Sequence, residues 1–127
     1  MPIKVSYRED GGVDFDGQGL MTGEDVVEAN NTIYASEEKI AQLKYQLCDY
    51  TKVDKFEISN FELRRIASQD EKAATLNPDM LVAIVSVQDL MFGLARMWEA
   101  YAGETPFETA VFREWEEAKA WIQARLK

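Results

Sequence analysis

Ser59 stands where the alternating stretch "VDKFEI" gives way to the helical pattern "NFELRRIA", and a hydroxyl at such a junction can serve two kinds of chemistry. It can start a helix: Ser59 and Glu62 spell an S-x-x-E capping box, with Ile58 and Leu63 at the two staple positions, and a cap of this kind is worth about 1 kcal/mol. It can also carry a phosphate, because the unpaired N–H groups and the dipole of a helix N-terminus favour negative charge there. Glu57 and Glu62 would repel that phosphate, so capping is the expected role. A phosphorylation or partner site at Ser59 and Asn60 is the sharper alternative.

Three further positions stand out on helices. Asn30 interrupts the apolar stripe of Val26, Ile33 and Tyr34, and Asp70 interrupts the line from Leu63 through Ile66 and Ala67 to Ala74. A buried carboxylate without a partner is costly and titrates high. The pattern therefore predicts a wet helix edge or a structural hydrogen bond at Asp70, with a ligand pocket or a general acid as the functional alternative. Phe92 falls opposite the apolar arc of its helix, between Arg96 and Glu99, while Trp98 lies on that arc. Pocket or interface roles are thus open to Asn30, Asp70, Phe92 and Trp98. With Met91, an exposed Phe92 would suit a self-association patch, and a homodimer is expected.

Catalytic constellations are scarce. The sequence has no histidine and a single cysteine, Cys48, so no Cys/His pair, zinc set or internal disulfide can form, and Cys48 is expected to be a packed core thiol. "GVDFDGQGLMTGE" matches a calcium loop at Asp14, Asp16 and Gly17, but Gly12 and Gly23 stand where the first ligand and the bidentate glutamate belong. Nor do its glycines space as a dinucleotide-binding turn. No enzymatic activity, metal or cofactor is expected. The 14 basic and 23 acidic residues give a net charge of −9, which opposes nucleic acid and anionic membrane surfaces. No apolar run reaches the roughly 20 residues of a membrane helix, and "MPIKVSYRED" lacks the plan of a secretory signal. A cytoplasmic location is expected.

The elements that position these residues follow from periodicity. At 127 residues and 46% hydrophobic, the chain suits one domain over residues 1–127. "IKVSYRE" and "GVDFDGQGL" read as two strands joined at "DGG". A helix follows from Thr22, with Asp25 completing a capping box and Met21 and Val26 as its staple, and Ser36 to Leu43 form a second helical segment. "YQLCDYT" and "MLVAIVSV" read as strands buried on both faces, and "TAVF" as a final strand. Helices fill the gaps: from Ser59 to before Asn77 and Pro78, from Gln88 to a stop at Gly103, and over "REWEEAKAWIQARL" with Trp115, Ala118, Ile122 and Leu126 inward. The prediction is an α/β domain, ββαβαβαβα, with a mixed, mostly parallel five-stranded sheet opened by a β-hairpin and about four helices packed on it.

Through "YQLCDYTKVDKFEIS", "VAIVSVQDLMFGLARMWEA" and "TAVFREWEEAKAWI" the chain resembles the anti-sigma-factor antagonist (STAS) domains, in particular an uncharacterised bacterial branch grouped with that fold and with the CRAL-TRIO lipid-transfer fold. The STAS resemblance implies a non-enzymatic regulatory module that binds another protein, with a phosphorylatable serine within an Asp-Ser-Ser-Gly-like pattern near Ser59. Here Ile58, Asn60 and Phe61 replace the aspartate, the second serine and the glycine. The CRAL-TRIO resemblance implies instead a small apolar ligand held between the sheet and the helices of residues 60–75 and 88–102.

Overall fold

The computed structural model describes residues 3–102 and 107–126. β1 (Ile3–Tyr7) and β2 (Gly12–Thr22) form an antiparallel hairpin. Gly11 turns the chain with φ +93°, a conformation open to glycine. Thr22 caps α1 (Gly23–Ile33): its Oγ1 accepts from the Asp25 N–H at 3.2 Å while the Asp25 carboxylate accepts from the Thr22 N–H at 2.9 Å. Ser36 caps a separate short helix, α2 (Glu37–Gln42), so five helices rather than about four occur among the described residues. Then come β3 (Tyr45–Glu57), α3 (Asn60–Leu76), β4 (Leu81–Val85), α4 (Asp89–Ala102), β5 (Glu108–Phe112) and α5 (Trp115–Arg125). α3 ends at Asn77, ahead of Pro78, and the Asn77 amide donates to the carbonyls of Ile40 and Leu43 at 2.8 and 2.6 Å. The expected stop of α4 at Gly103 lies outside the described residues.

The strands lie in the order β1-β2-β3-β4-β5, antiparallel at the first pair and parallel thereafter. Each parallel crossover steps one strand in the same direction. Because such crossovers are right-handed, the helices between β2 and β5 fall on one face, and α5, which leads to no further strand, takes the other. The packing matches. Val13, Phe15, Cys48, Val82 and Ile84 join the cluster under α1, α3 and α4, while Tyr45, Leu47, Leu81, Ala83 and Val85 pack with Ala118 and Ile122 of α5. β4 is buried along its whole length, as a strand covered on both faces must be.

β3 runs well past the strand expected over residues 45–51. Pairing with β4 stops at Asp49↔Val85, yet β3 continues beside β2 to Thr22↔Glu57, with Val53 and Phe56 buried. On its free edge the Gln88 amide donates to the Val53 carbonyl at 2.6 Å.

At the opposite end the hairpin leaves no room above Gly12. A Cβ there would stand 2.0 Å from the Tyr45 ring, whose hydroxyl donates to the Asp10 carboxylate at 2.8 Å. Gly12→Ala should therefore lower stability by about 1–3 kcal/mol, the usual cost of overpacking a tight site. Urea unfolding monitored by circular dichroism would show the lowered midpoint.

Candidate functional site

The two polar residues that interrupt the apolar stripes meet. α1 presents Asn30 and the end of its stripe, Tyr34, toward α3, and α4 presents Trp98. All three side chains converge on Asp70, which is 4% exposed. The Tyr34 hydroxyl donates to Asp70 Oδ1 at 2.8 Å, the Trp98 indole N–H to Oδ2 at 2.8 Å, and the Asn30 amide to Oδ1 at 3.4 Å. Gln69, next along α3, accepts from Asn30 at 3.0 Å and donates to the Val27 carbonyl at 3.1 Å. Of the two outcomes expected for Asp70, the structure holds the hydrogen-bonded one, with the side chain buried. Burial pushes the Asp70 carboxyl up to about 7 from the ordinary 3.8, and the Tyr34 and Trp98 hydrogen bonds oppose that rise only in part. Tyr34 is in turn held well above its usual range, first by burial and then by the Asp70 charge.

Beneath this junction lies a cavity of about 50 Å³, with Asn30, Gln46, Cys48, Tyr50, Asp70 and Trp98 among its lining. Its volume can hold water, which needs roughly 10–15 Å³, but falls far short of the roughly 300–1,000 Å³ of ligand pockets. Cys48 is buried there and its thiol is pushed up to about 12 by burial, an unreactive state. No group of three His, Cys, Asp or Glu side chains able to hold a metal ion occurs among the described residues.

Ser59 is the N-cap of α3. Its Oγ accepts from the Glu62 N–H at 3.1 Å, and the Glu62 carboxylate accepts from the Ser59 N–H at 2.9 Å, completing the capping box read from the sequence. Ser59 and Asn60 are both exposed. They sit at the carboxyl edge of the parallel strands, where α1, α3 and α4 begin, and this edge also carries Leu20, Phe61, Val87 and Leu90, all exposed. α1 and α3 are joined at their starts by the Arg65–Glu24 pair, at 3.1 Å. The site residues thus divide between two places: Ser59 and Asn60 on the edge, Asn30, Asp70 and Trp98 beneath the helices.

Phe92 corrects its expectation. It is half-buried rather than exposed, because the Arg113 guanidinium lies 3.9 Å from the centre of its ring while donating to the Val87 carbonyl at 2.8 Å and to Asp89 at 2.6 Å. Arg113 comes from the turn after β5, and helix periodicity carries no information about such a neighbour. Tyr34 and Gln69 were missed as partners of Asp70. Tyr and Trp bring a polar tip on an apolar body, so Tyr34 on the stripe that holds Asn30, and Trp98 on the stripe of α4, were the available signal.

No family model matches the chain, and no curated protein matches it. Solved structures do, among them the following two. An uncharacterised protein of the DUF3478 family with a SpoIIAA-like fold, from Shewanella loihica PV-4, is 22% identical, with 94% of this chain and 91% of that one covered, at a TM-score of 0.58. The Bacillus cell fate determinant SpoIIAA in its phosphorylated form is 10% identical, with 94% and 98% covered, at a TM-score of 0.61. The chain has the SpoIIAA-like fold, an α/β domain with a five-stranded mixed sheet, as its resemblance to STAS domains implied.

Two measurements follow from these sites. A carboxyl that titrates at about 7 when folded and near 3.8 when unfolded binds its proton more tightly in the native state. Its contribution is fully present below the unfolded value and is lost as pH rises through the folded one, to a total of roughly 4 kcal/mol. Chemical denaturation across this range should show stability falling toward neutral pH, and Asp70→Asn should flatten the fall. Ser59→Ala should cost about 1 kcal/mol by removal of the cap, which the same unfolding experiment reads.

Proposed function

We propose that this protein is a regulatory module that works by docking another protein on the carboxyl edge of its sheet, around Ser59. The observation that carries this reading is the apolar group on that edge: Phe61 is 71% exposed, Val87 58%, Leu90 55% and Leu20 48%. Side chains of this size gathered at one end of a fold mark an interaction surface. In open α/β sheets the carboxyl ends of the strands are also where recognition is usual.

The resemblance to STAS domains, which implies a phosphorylatable serine near Ser59, supports the same edge, and the fold is that of SpoIIAA, a structure solved in its phosphorylated form. A phosphate on Ser59 would meet the free N–H groups at the start of α3, but it would first have to displace the capping bond to Glu62. Phosphorylation of Ser59 is therefore a change of helix start as well as of charge. The edge is rimmed by Glu24, Glu57, Glu62 and Asp89, of which Glu24, Glu57 and Asp89 pair with Arg65, Lys55 and Arg113 and Glu62 closes the cap on Ser59. The reading takes the protein to be non-enzymatic and cytoplasmic. A homodimer is retained as a further expectation, no longer through Phe92. A bound lipid or other large apolar ligand finds no support in a cavity of about 50 Å³.

Crosslinked capture from the native host with the wild-type protein and with Phe61→Ser tests the proposal. The expected result is a specific prey retained by the first and lost from the second, with both variants equally stable. Identical prey for the two, or none for either, would remove the edge from consideration. Native mass spectrometry of the same material reports subunit number and any single phosphate, and peptide mapping should place that phosphate on Ser59.

A further inference from the structure

α1, α3 and α4 meet at a carboxyl group surrounded by neutral donors. None of the five ion pairs among the described residues includes Asp70, and the nearby Arg64 of α3 stacks over the Tyr101 ring instead. The junction also holds an unsatisfied acceptor: Asn30 Oδ1, on a residue 1% exposed, has no hydrogen-bond partner among the described residues. Meanwhile the Asn30 N–H reaches Asp70 Oδ1 only at 3.4 Å, an oxygen already taken by Tyr34 at 2.8 Å.

We propose that Asp70 and Asn30 form a proton-sharing pair, a pH-operated latch that holds α4 on the domain when Asp70 is protonated and loosens it when the proton leaves.

The geometry supplies both states. A carboxylate only accepts, and the arrangement with Tyr34, Trp98 and Asn30 all donating suits it. A protonated carboxyl has an O–H that needs an acceptor, and Asn30 Oδ1 is the free one. A half-turn of the Asn30 amide places that oxygen against the Asp70 hydroxyl. The matching half-turn of Gln69 gives the same oxygen a second donor, in place of the Gln69 bonds to Val27 and Asn31. On deprotonation the proton passes to water, and a charge is left under three helices with no cation among the described residues paired to it.

Other groups facing Asp70 do not compete for this range. From α1 come Tyr34 and Asn30, from α4 Trp98, and from β3 Cys48 and Tyr50, both pushed up by burial. β4 contributes Val82 and Ile84 to the cavity wall. The rise of the Asp70 carboxyl to about 7 agrees with the latch, placing the change near neutral pH. The cavity of about 50 Å³ beneath gives water a place to solvate the charge once α4 loosens. This inference concerns the junction alone and holds whether or not the Ser59 edge docks a protein.

The test follows the Trp98 indole N–H by nitrogen–proton NMR from about pH 5 to about pH 9, its signal identified among the three tryptophans by its loss in Trp98→Phe. The wild-type signal should titrate with a midpoint near 7, and amide exchange in α4, corrected for the intrinsic effect of pH, should be at least about threefold faster above that midpoint than below it. Asp70→Asn, which keeps an acceptor and a donor in place of the protonated carboxyl, should remove the titration and hold the slow rate throughout. Asn30→Leu distinguishes the pair from a simple hydrogen bond. Loss of the proton's acceptor should lower the midpoint by about one pH unit, whereas loss of a mere donor to the carboxylate would raise it. An invariant Trp98 signal, an unchanged or raised midpoint in Asn30→Leu, or equal α4 exchange on both sides of the midpoint would overturn the latch. Should Asp70→Asn fail to fold, the wild-type and Asn30→Leu measurements decide the matter.

Discussion

A carboxyl group buried beneath three helices constrains this structure more than any other single interaction. Asp70 must be satisfied by hydrogen bonds, because a buried polar group left alone costs about 1–3 kcal/mol and a charged one more. Its donors come from Tyr34, 36 residues earlier, and Trp98, 28 residues later. α1 and α4 can thus occupy only those positions on α3 that bring a hydroxyl and an indole within reach of the same two oxygens. Apolar packing alone would tolerate a slide of one helix along another; directional bonds of under 3 Å do not. The arrangement specifies one packing of the helical layer, and its sensitivity to a proton comes from the same burial that makes it specific.

The sheet imposes a second constraint, topological rather than chemical. Stepping always in one direction sends the helices between β2 and β5 to one face and leaves the other to α5. Every helix that follows a parallel strand then starts at the same edge, which gathers N-termini and the apolar residues beside them. Ser59 reaches this edge because β3 overruns β4 from Tyr50 to Glu57, a projection on which the Gln88 amide takes up the Val53 carbonyl. The likeness to SpoIIAA extends over this whole architecture, and a fold of this kind accepts different functions according to what its edge carries. Here the edge carries Phe61 and Leu90 beside a serine committed to a cap.

Much of this was legible in the residues. Thr22 with Asp25 and Ser59 with Glu62 announce their helices because capping bonds reach no further than three residues, so the information is local. The uniform apolar run of β4 announces a strand covered on both sides, since the hydrophobic pattern records burial directly. Even the unusual character of Asn30 and Asp70 was visible, as polar residues where periodicity demands apolar ones.

Tertiary structure alone decided the rest. That Asn30 and Asp70 face each other, with Tyr34 and Trp98 completing the set, depends on the angle and register of three helices, which no helical wheel contains. That Phe92 is sheltered depends on Arg113, delivered by the turn after the neighbouring strand β5. Sequence determined which segments coil, which extend and which positions look inward, because those follow from contacts within a few residues along the chain. Which inward positions touch was set by how separately formed elements pack, because a hydrogen bond between distant residues exists only when their elements have been brought within about 3 Å.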